Sequence, residues 1–157
     1  MLADYIRTYM IHGLRATPDV ITTLLEGATK ADFDRRPDAD RFTIREVIAH
    51  LADWEGVWLE RAGRMVREEN PMLESYDEGQ WAIDHHYATL DVQGQLDSFR
   101  AGRERLAAFL SDLSPEQWER AARREFGSIT IAQQTAMILG HDGYHLKQIC
   151  DWLRADA

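Results

Sequence analysis

His141 and His145 lie four residues apart in a stretch of helical periodicity, so both imidazoles project from one face about one turn apart. Two rings at that separation can hold one tetrahedral or octahedral ion, with zinc–nitrogen bonds of about 2.0–2.1 Å. His50 stands in a second periodic stretch, three residues after Val47 and four before Trp54. In the same way His141 follows Ile138 by three, and His145 precedes Ile149 by four. All three therefore sit on the border of a buried stripe. A neutral ring placed there needs a polar partner, and one shared ion would satisfy all three. Separate core histidines bonded to backbone or carboxylates are the alternative that spacing leaves open. Gly140 and Gly143, beside the pair, fit either a close-approaching helix or ligand, or ordinary tight packing.

Three protein ligands would leave a coordination position free, the arrangement of a catalytic rather than a structural site. A thiol or water taken up there would lose its proton near neutral pH and become a nucleophile, and a substrate carbonyl would be polarised. Gln134 and Gln148 fall one heptad either side of His141, and Asp53 three residues past His50. These three are the candidates for orienting a ring nitrogen. Glu55, five past His50, falls off that face. Trp81 and Tyr87 are candidate pocket walls, with a core role as the alternative for Trp81. His85 and His86 are adjacent, diverge by about 100° on a helix, and read as surface residues. His12 reads as structural. No glycine-rich phosphate loop or serine-hydrolase context is present. The carboxylates read as lying on exposed faces, which leaves a paired-carboxylate hydrolase unsupported.

The elements that must position these residues are helices. Ile44, Val47, Ile48, Leu51, Trp54, Trp58, Ala62 and Met65 recur at intervals of three and four, with a Thr43/Glu46 capping box in front and Asn70-Pro71 behind. Another helix is expected from about Val92 to Asp112, then a short one opened by Ser114-Pro115. A last helix starts at Thr130, capped through Gln133, and runs to about Arg154. The first helix has two apolar faces with Thr17-Pro18 between them, which predicts a kink or restart. Residues 27–42 read as a surface loop. Residues 71–91 form a long crossover with a helical turn around Gln80–Tyr87, and Arg124–Phe126 reads as a short extended segment before a Gly127-Ser128 turn. Four main helices with long crossovers make an all-α bundle.

The chain has 157 residues, 45% apolar with five each of Trp, Tyr and Phe, which suits a single domain over 1–157 with one sizeable core. Its formal charge of −9 argues against nucleic acid and against anionic membrane surfaces. The arginines of Arg100–Arg105 alternate with acids and read as solvated faces. A lone Cys150, read as a small buried hydrophobe, forbids an intrachain disulfide and points to a cytoplasmic compartment. No apolar run is long enough to span a membrane, and Met1–Met10 lacks the basic start of a signal peptide.

The segment from Thr43 through His50 to Glu55, joined to His141-Asp-Gly-Tyr-His145-Leu-Lys-Gln148, resembles the DinB-like (DinB/YfiT) superfamily. The similarity covers nearly the whole chain, including Pro71–Trp81. It implies an up-down-down-up four-helix bundle whose long crossover joins the second and third main helices. It further implies a pocket at one end and a nickel- or zinc-type ion held by His50, His141 and His145. It also implies a homodimer acting on a small-molecule substrate. Family activities range from thiol S-transferases and isomerases using a low-molecular-weight thiol to metal-dependent hydrolases. Alternatives are a non-catalytic metal- or small-ligand-binding bundle, or a self-associating interaction module.

Overall fold

The computed structural model describes residues 2–125 and 127–155. Four long helices dominate: α1 (Asp4–Leu24), α3 (Ile44–Arg67), α5 (Val92–Ser111) and α7 (Ile131–Arg154). Three short ones punctuate the connections: α2 (Lys30–Asp34), α4 (Glu78–Asp84) and α6 (Pro115–Trp118). The capping boxes at Thr43/Glu46, Ser114/Gln117 and Thr130/Gln133 form as expected. Thr29/Asp32 adds a fourth, at the start of α2 inside the stretch expected to be loop.

Two apolar layers give the helix directions. Ile44, Ile48 and Leu51 of α3 pack with Val92, Leu96 and Phe99 of α5, while Trp58 and Met65 pack with Leu106 and Leu110. Residue numbers rise together along the pair, so α3 and α5 run parallel, which is why a long crossover must return the chain between them. Leu14 of α1 shares a layer with Ile131 and Ile138 of α7, and Ile21 shares the other with Ile149 and Trp152, so that pair is parallel as well. Each pair is antiparallel to the other, which gives the up-down-down-up order.

Helix α1 continues through Pro18, so the chain does not restart there. Pro18 has no N–H for the carbonyl of Leu14. That carbonyl instead accepts from Arg103 Nη1 at 3.0 Å, so a side chain from α5 supplies the missing bond. Arg103 is 1% exposed and also binds Glu55 of α3 through Nε (3.0 Å) and Nη2 (2.7 Å), and Asp142 of α7 through Nη1 (2.5 Å). Thr17 Oγ1 donates to the same Asp142 at 2.9 Å. Arg103, Glu55 and Asp142 are thus buried, correcting the reading of Arg100–Arg105 and of the carboxylates as solvated faces. Periodicity scores residue type, and a fully paired charge in a core breaks the pattern it relies on. Gly102 makes room for this arrangement: a Cβ there would stand 2.7 Å from Glu55 Cβ.

The crossover docks on α3 through one oxygen. Asp53 Oδ2 accepts from Trp81 Nε1 (2.7 Å), His85 Nδ1 (2.5 Å) and Tyr87 Oη (2.9 Å). The expected helical turn is α4, followed by a 3-10 turn over Tyr87–Thr89. The second connection holds a hairpin, β1 (Ala121–Arg124) against β2 (Gly127–Thr130), paired Ala121↔Thr130 through Arg124↔Gly127. Gly127 and Ser128 therefore lie in a strand rather than in the turn. The expected extended segment reached Phe126, which lies outside the described residues.

Replacing Arg103 by Met strands two carboxylates among apolar side chains. The expected loss is about 3–5 kcal/mol of unfolding free energy, read as a fall in urea midpoint with unchanged slope. A loss below about 1 kcal/mol would show that the cluster is not a structural keystone. For Asp53→Ala, amide exchange should accelerate across residues 78–87 while the long helices keep their protection. Uniform loss of protection would contradict a local docking role.

Candidate metal centre

His50 comes from the middle of α3, His141 and His145 from α7, and their Nε2 atoms converge. His50 Nε2 stands 2.9 Å from His141 Nε2, which stands 3.2 Å from His145 Nε2. Ligand atoms of all three lie within 4.8 Å of one another, close enough to hold a metal ion. Two nitrogens on one ion at about 2.0–2.1 Å are themselves roughly 3 Å apart. His50 is 0% exposed and His145 4%. Burial, reinforced by the neighbouring histidines, pushes the pKa of His50 down to about 2 and that of His145 down to about 3. Burial also lowers that of His141. The cluster therefore offers neutral rings with free lone pairs, the form a divalent transition metal binds.

Hydrogen bonding around the rings points the same way. Gln148 Nε2 donates to the carbonyl of Phe42 at 2.8 Å, which turns Gln148 Oε1 toward His145 Nδ1 at 3.2 Å. His145 then carries its proton on Nδ1 and presents a lone pair at Nε2. A single N–H on His141 Nε2 cannot align with both His145 and His50 at once. The Nδ1 atoms of His50 and His141 are buried without a hydrogen-bond partner. An ion taking a lone pair from each Nε2 would remove the conflict among those three atoms, while the Nδ1 groups of His50 and His141 stay without a partner among the described residues.

The other expected residues fall out differently. Gln134 is buried about two turns from His141, donating to the carbonyl of Trp58 at 3.3 Å, and makes no hydrogen bond to a ring nitrogen among the described residues. Asp53 faces the crossover and not the cluster, so it orients His85 rather than a ring of the triad. Tyr87 is buried with its ring centroid 6.4 Å from His50. Burial, and then its bond to Asp53, raise its pKa and keep the phenol protonated. Trp81 packs between Tyr76 and His85, with centroids at 4.8 and 4.7 Å. It lines neither cavity beside the site, so it acts as a strut of the crossover. Gly140 and Gly143 have open space where a Cβ would be, so among the described residues no helix approaches them. Close helix packing occurs instead at Gly13, whose Cβ would stand 3.0 Å from Leu139 Cδ2. His12 is exposed and Cys150 half-buried.

A cavity of about 300 Å³ opens onto His141 and His145, walled by Arg41, Phe42, Glu78 and Tyr144. A second, of about 470 Å³, adjoins it and contains Tyr87. Behind the cluster, α3 carries a stripe of His50, Trp54, Trp58 and Arg61, the last buried with its guanidinium 5.7, 5.4 and 5.2 Å from the Trp54, Trp58 and Tyr76 rings. Sequence reasoning missed Arg41, Glu78 and Arg61. Arg61 was reachable, since it continues the His50 stripe at the same three-and-four spacing. Arg41 and Glu78 carry no periodic signal, lying in a loop and at a helix start.

A profile of the DinB superfamily matches residues 14–149. Among curated relatives, Oceanobacillus iheyensis OB0782 is 36% identical over 109 residues, 69% of this chain and 63% of that protein. Bacillus subtilis YfiT is 25% identical over 146 residues, 92% of this chain and 82% of that one. Both are named as candidate metal-dependent hydrolases. The chain spans less than two thirds of the length of OB0782. The solved structure of YfiT, described as having an unusual four-helix bundle topology, superimposes with a TM-score of 0.91 at 24% identity, covering 98% of this chain and 89% of that one. Sequence match, helix order and fold agree: the chain belongs to the DinB superfamily.

Proposed function

We propose that this protein is a metal-dependent enzyme of the hydrolase type, with His50, His141 and His145 holding one divalent ion. The observation that carries this reading is the convergence of three neutral Nε2 atoms on one point beside a cavity open to solvent. An ion so held supplies Lewis acidity, bringing the pKa of water toward neutrality and polarising a carbonyl. With three protein ligands a coordination position is left for a small molecule. The relatives named as metal-dependent hydrolases support the same class.

The chain's own residues do the rest. Gln148 fixes the tautomer of His145 and holds its ring on station. Phe42 and Trp54 flank the His50 ring at 5.5 and 5.3 Å, a dry wall that keeps the imidazole neutral. Low local polarity strengthens any interaction between charge developing on a substrate and the cavity wall. Zinc or nickel fits an all-imidazole donor set. A low-molecular-weight thiol in place of water would turn the same site to S-transfer.

Elemental analysis of purified protein should find close to one divalent ion per chain, lost in His50→Ala and His145→Ala. Equal metal content in parent and variants would remove the assignment. The metal-loaded protein should hydrolyse at least one member of an ester and amide panel, and chelation should abolish that turnover. Running the panel with and without a small thiol separates hydrolysis from transfer. Turnover that survives both chelation and loss of His145 would contradict the reading.

The buried rings also set a pH dependence. Each has a folded pKa below its ordinary value of 6.5, so the unfolded chain binds the extra protons as pH falls. Stability from this source is present above about pH 6.5 and is lost progressively below it, by up to about 1.4 kcal/mol per pH unit for each ring. Urea midpoints of metal-free protein between pH 7 and 5 should fall more steeply than those of the His50→Ala variant. Parallel profiles would contradict the burial of a neutral ring.

A further inference from the structure

Arg41 is held in an unusual way. Its guanidinium stands 5.1 Å from the Tyr144 ring and 4.7 Å from the Trp152 ring, both on α7. Its Nε is buried without a hydrogen-bond partner, and it forms no ion pair among the described residues. Most cations of this acidic chain are spoken for: Arg36 by Glu46, Arg45 by Asp34, Arg100 by Asp19, Arg103 by Glu55 and Asp142. The backbone beside Arg41 is pinned as well. The Phe42 carbonyl accepts from Gln148 Nε2 at 2.8 Å and from Trp152 Nε1 at 3.0 Å, and the Arg41 carbonyl accepts from Arg36 at 2.7 Å. Gln148 is the same side chain that orients His145, so one amide fixes both the Arg41 loop and a ring of the histidine cluster.

Arg41, His141 and His145 share the walls of the 300 Å³ cavity. A cavity of that size is at the small end for a ligand site and excludes a macromolecule. A guanidinium lying over aromatic rings can still offer its two terminal Nη groups to a carboxylate through paired hydrogen bonds. Asp40 and Glu78 line the same cavity without pairing to Arg41. These two acidic side chains disfavour a second anionic group on a ligand, so Arg41 is left to receive one.

Resting on the metal-site reading above, the geometry points to a substrate that is a small monocarboxylate: Arg41 receives the carboxylate while the reactive carbonyl faces the histidine cluster. Arg41 is thereby a substrate-specificity residue, rigidly placed before the ligand arrives.

The test uses zinc-loaded protein and two probes, a short aliphatic hydroxamate ending in a carboxylate and its methyl ester. Both hydroxamates should bind through the ion. The free acid should bind about tenfold tighter than the ester, the gain of a charge-assisted contact. In Arg41→Gln that gain should shrink to within about twofold, with zinc content and ester affinity unchanged. Equal affinity of acid and ester for the parent protein, or a gain that persists in Arg41→Gln, would overturn the assignment and leave the metal site standing. Failure of both hydroxamates to bind zinc-loaded protein would bring down the metal-site reading and this inference together.

Discussion

A single buried guanidinium holds the bundle together. Arg103 reaches from α5 to a carbonyl of α1, a carboxylate of α3 and a carboxylate of α7. Removing such a charge from water costs several kcal/mol and is tolerated only when nearly every donor finds an acceptor. Here burial works against the charge, but the bonds to Asp142 and Glu55 outweigh it and raise the pKa, so the ion stays charged. The cluster does more than add stability. Apolar helix faces can slide by a turn at modest cost, whereas a triad of matched charges admits one register.

That register decides whether the histidines meet. Glu55 lies five residues past His50 on α3, and Asp142 is next to His141 on α7. Locking Glu55 and Asp142 onto one guanidinium therefore fixes the heights of the two helices within about a turn of the histidine cluster. The layers on either side divide the remaining work. Aromatic rings on α3 keep the triad dry, Gln148 aims His145, and Asp53 holds the crossover over the adjoining wall. The Arg103 cluster is a positioning device: among the described residues, neither Arg103, Glu55 nor Asp142 hydrogen-bonds a ring of the triad.

Much of this was legible in the residues. Three-and-four spacing located the long helices, and capping boxes gave the starts of α3 and α7. The border position of His50, His141 and His145 anticipated their convergence, because helix geometry maps spacing onto direction. Gln148 followed from the same geometry. What spacing could not supply was the partner across the interface. Asp53 lies three past His50, yet its carboxylate turns to a crossover whose path no periodicity describes. Pro18 predicted a broken helix because nothing local reveals that Arg103, more than eighty residues on, completes its backbone bonding. Arg103, Glu55 and Asp142 looked like surface charges for the same reason: pairing is a property of the folded state.

Three imidazoles from two helices are proposed to bind one ion. Zinc-edge X-ray absorption of the loaded protein tests it most directly. The expected first shell is nitrogen and oxygen at about 2.0–2.1 Å with the outer-shell scattering of three imidazole rings. A sulfur shell near 2.3 Å, or an oxygen-only shell with no imidazole signature, would contradict it.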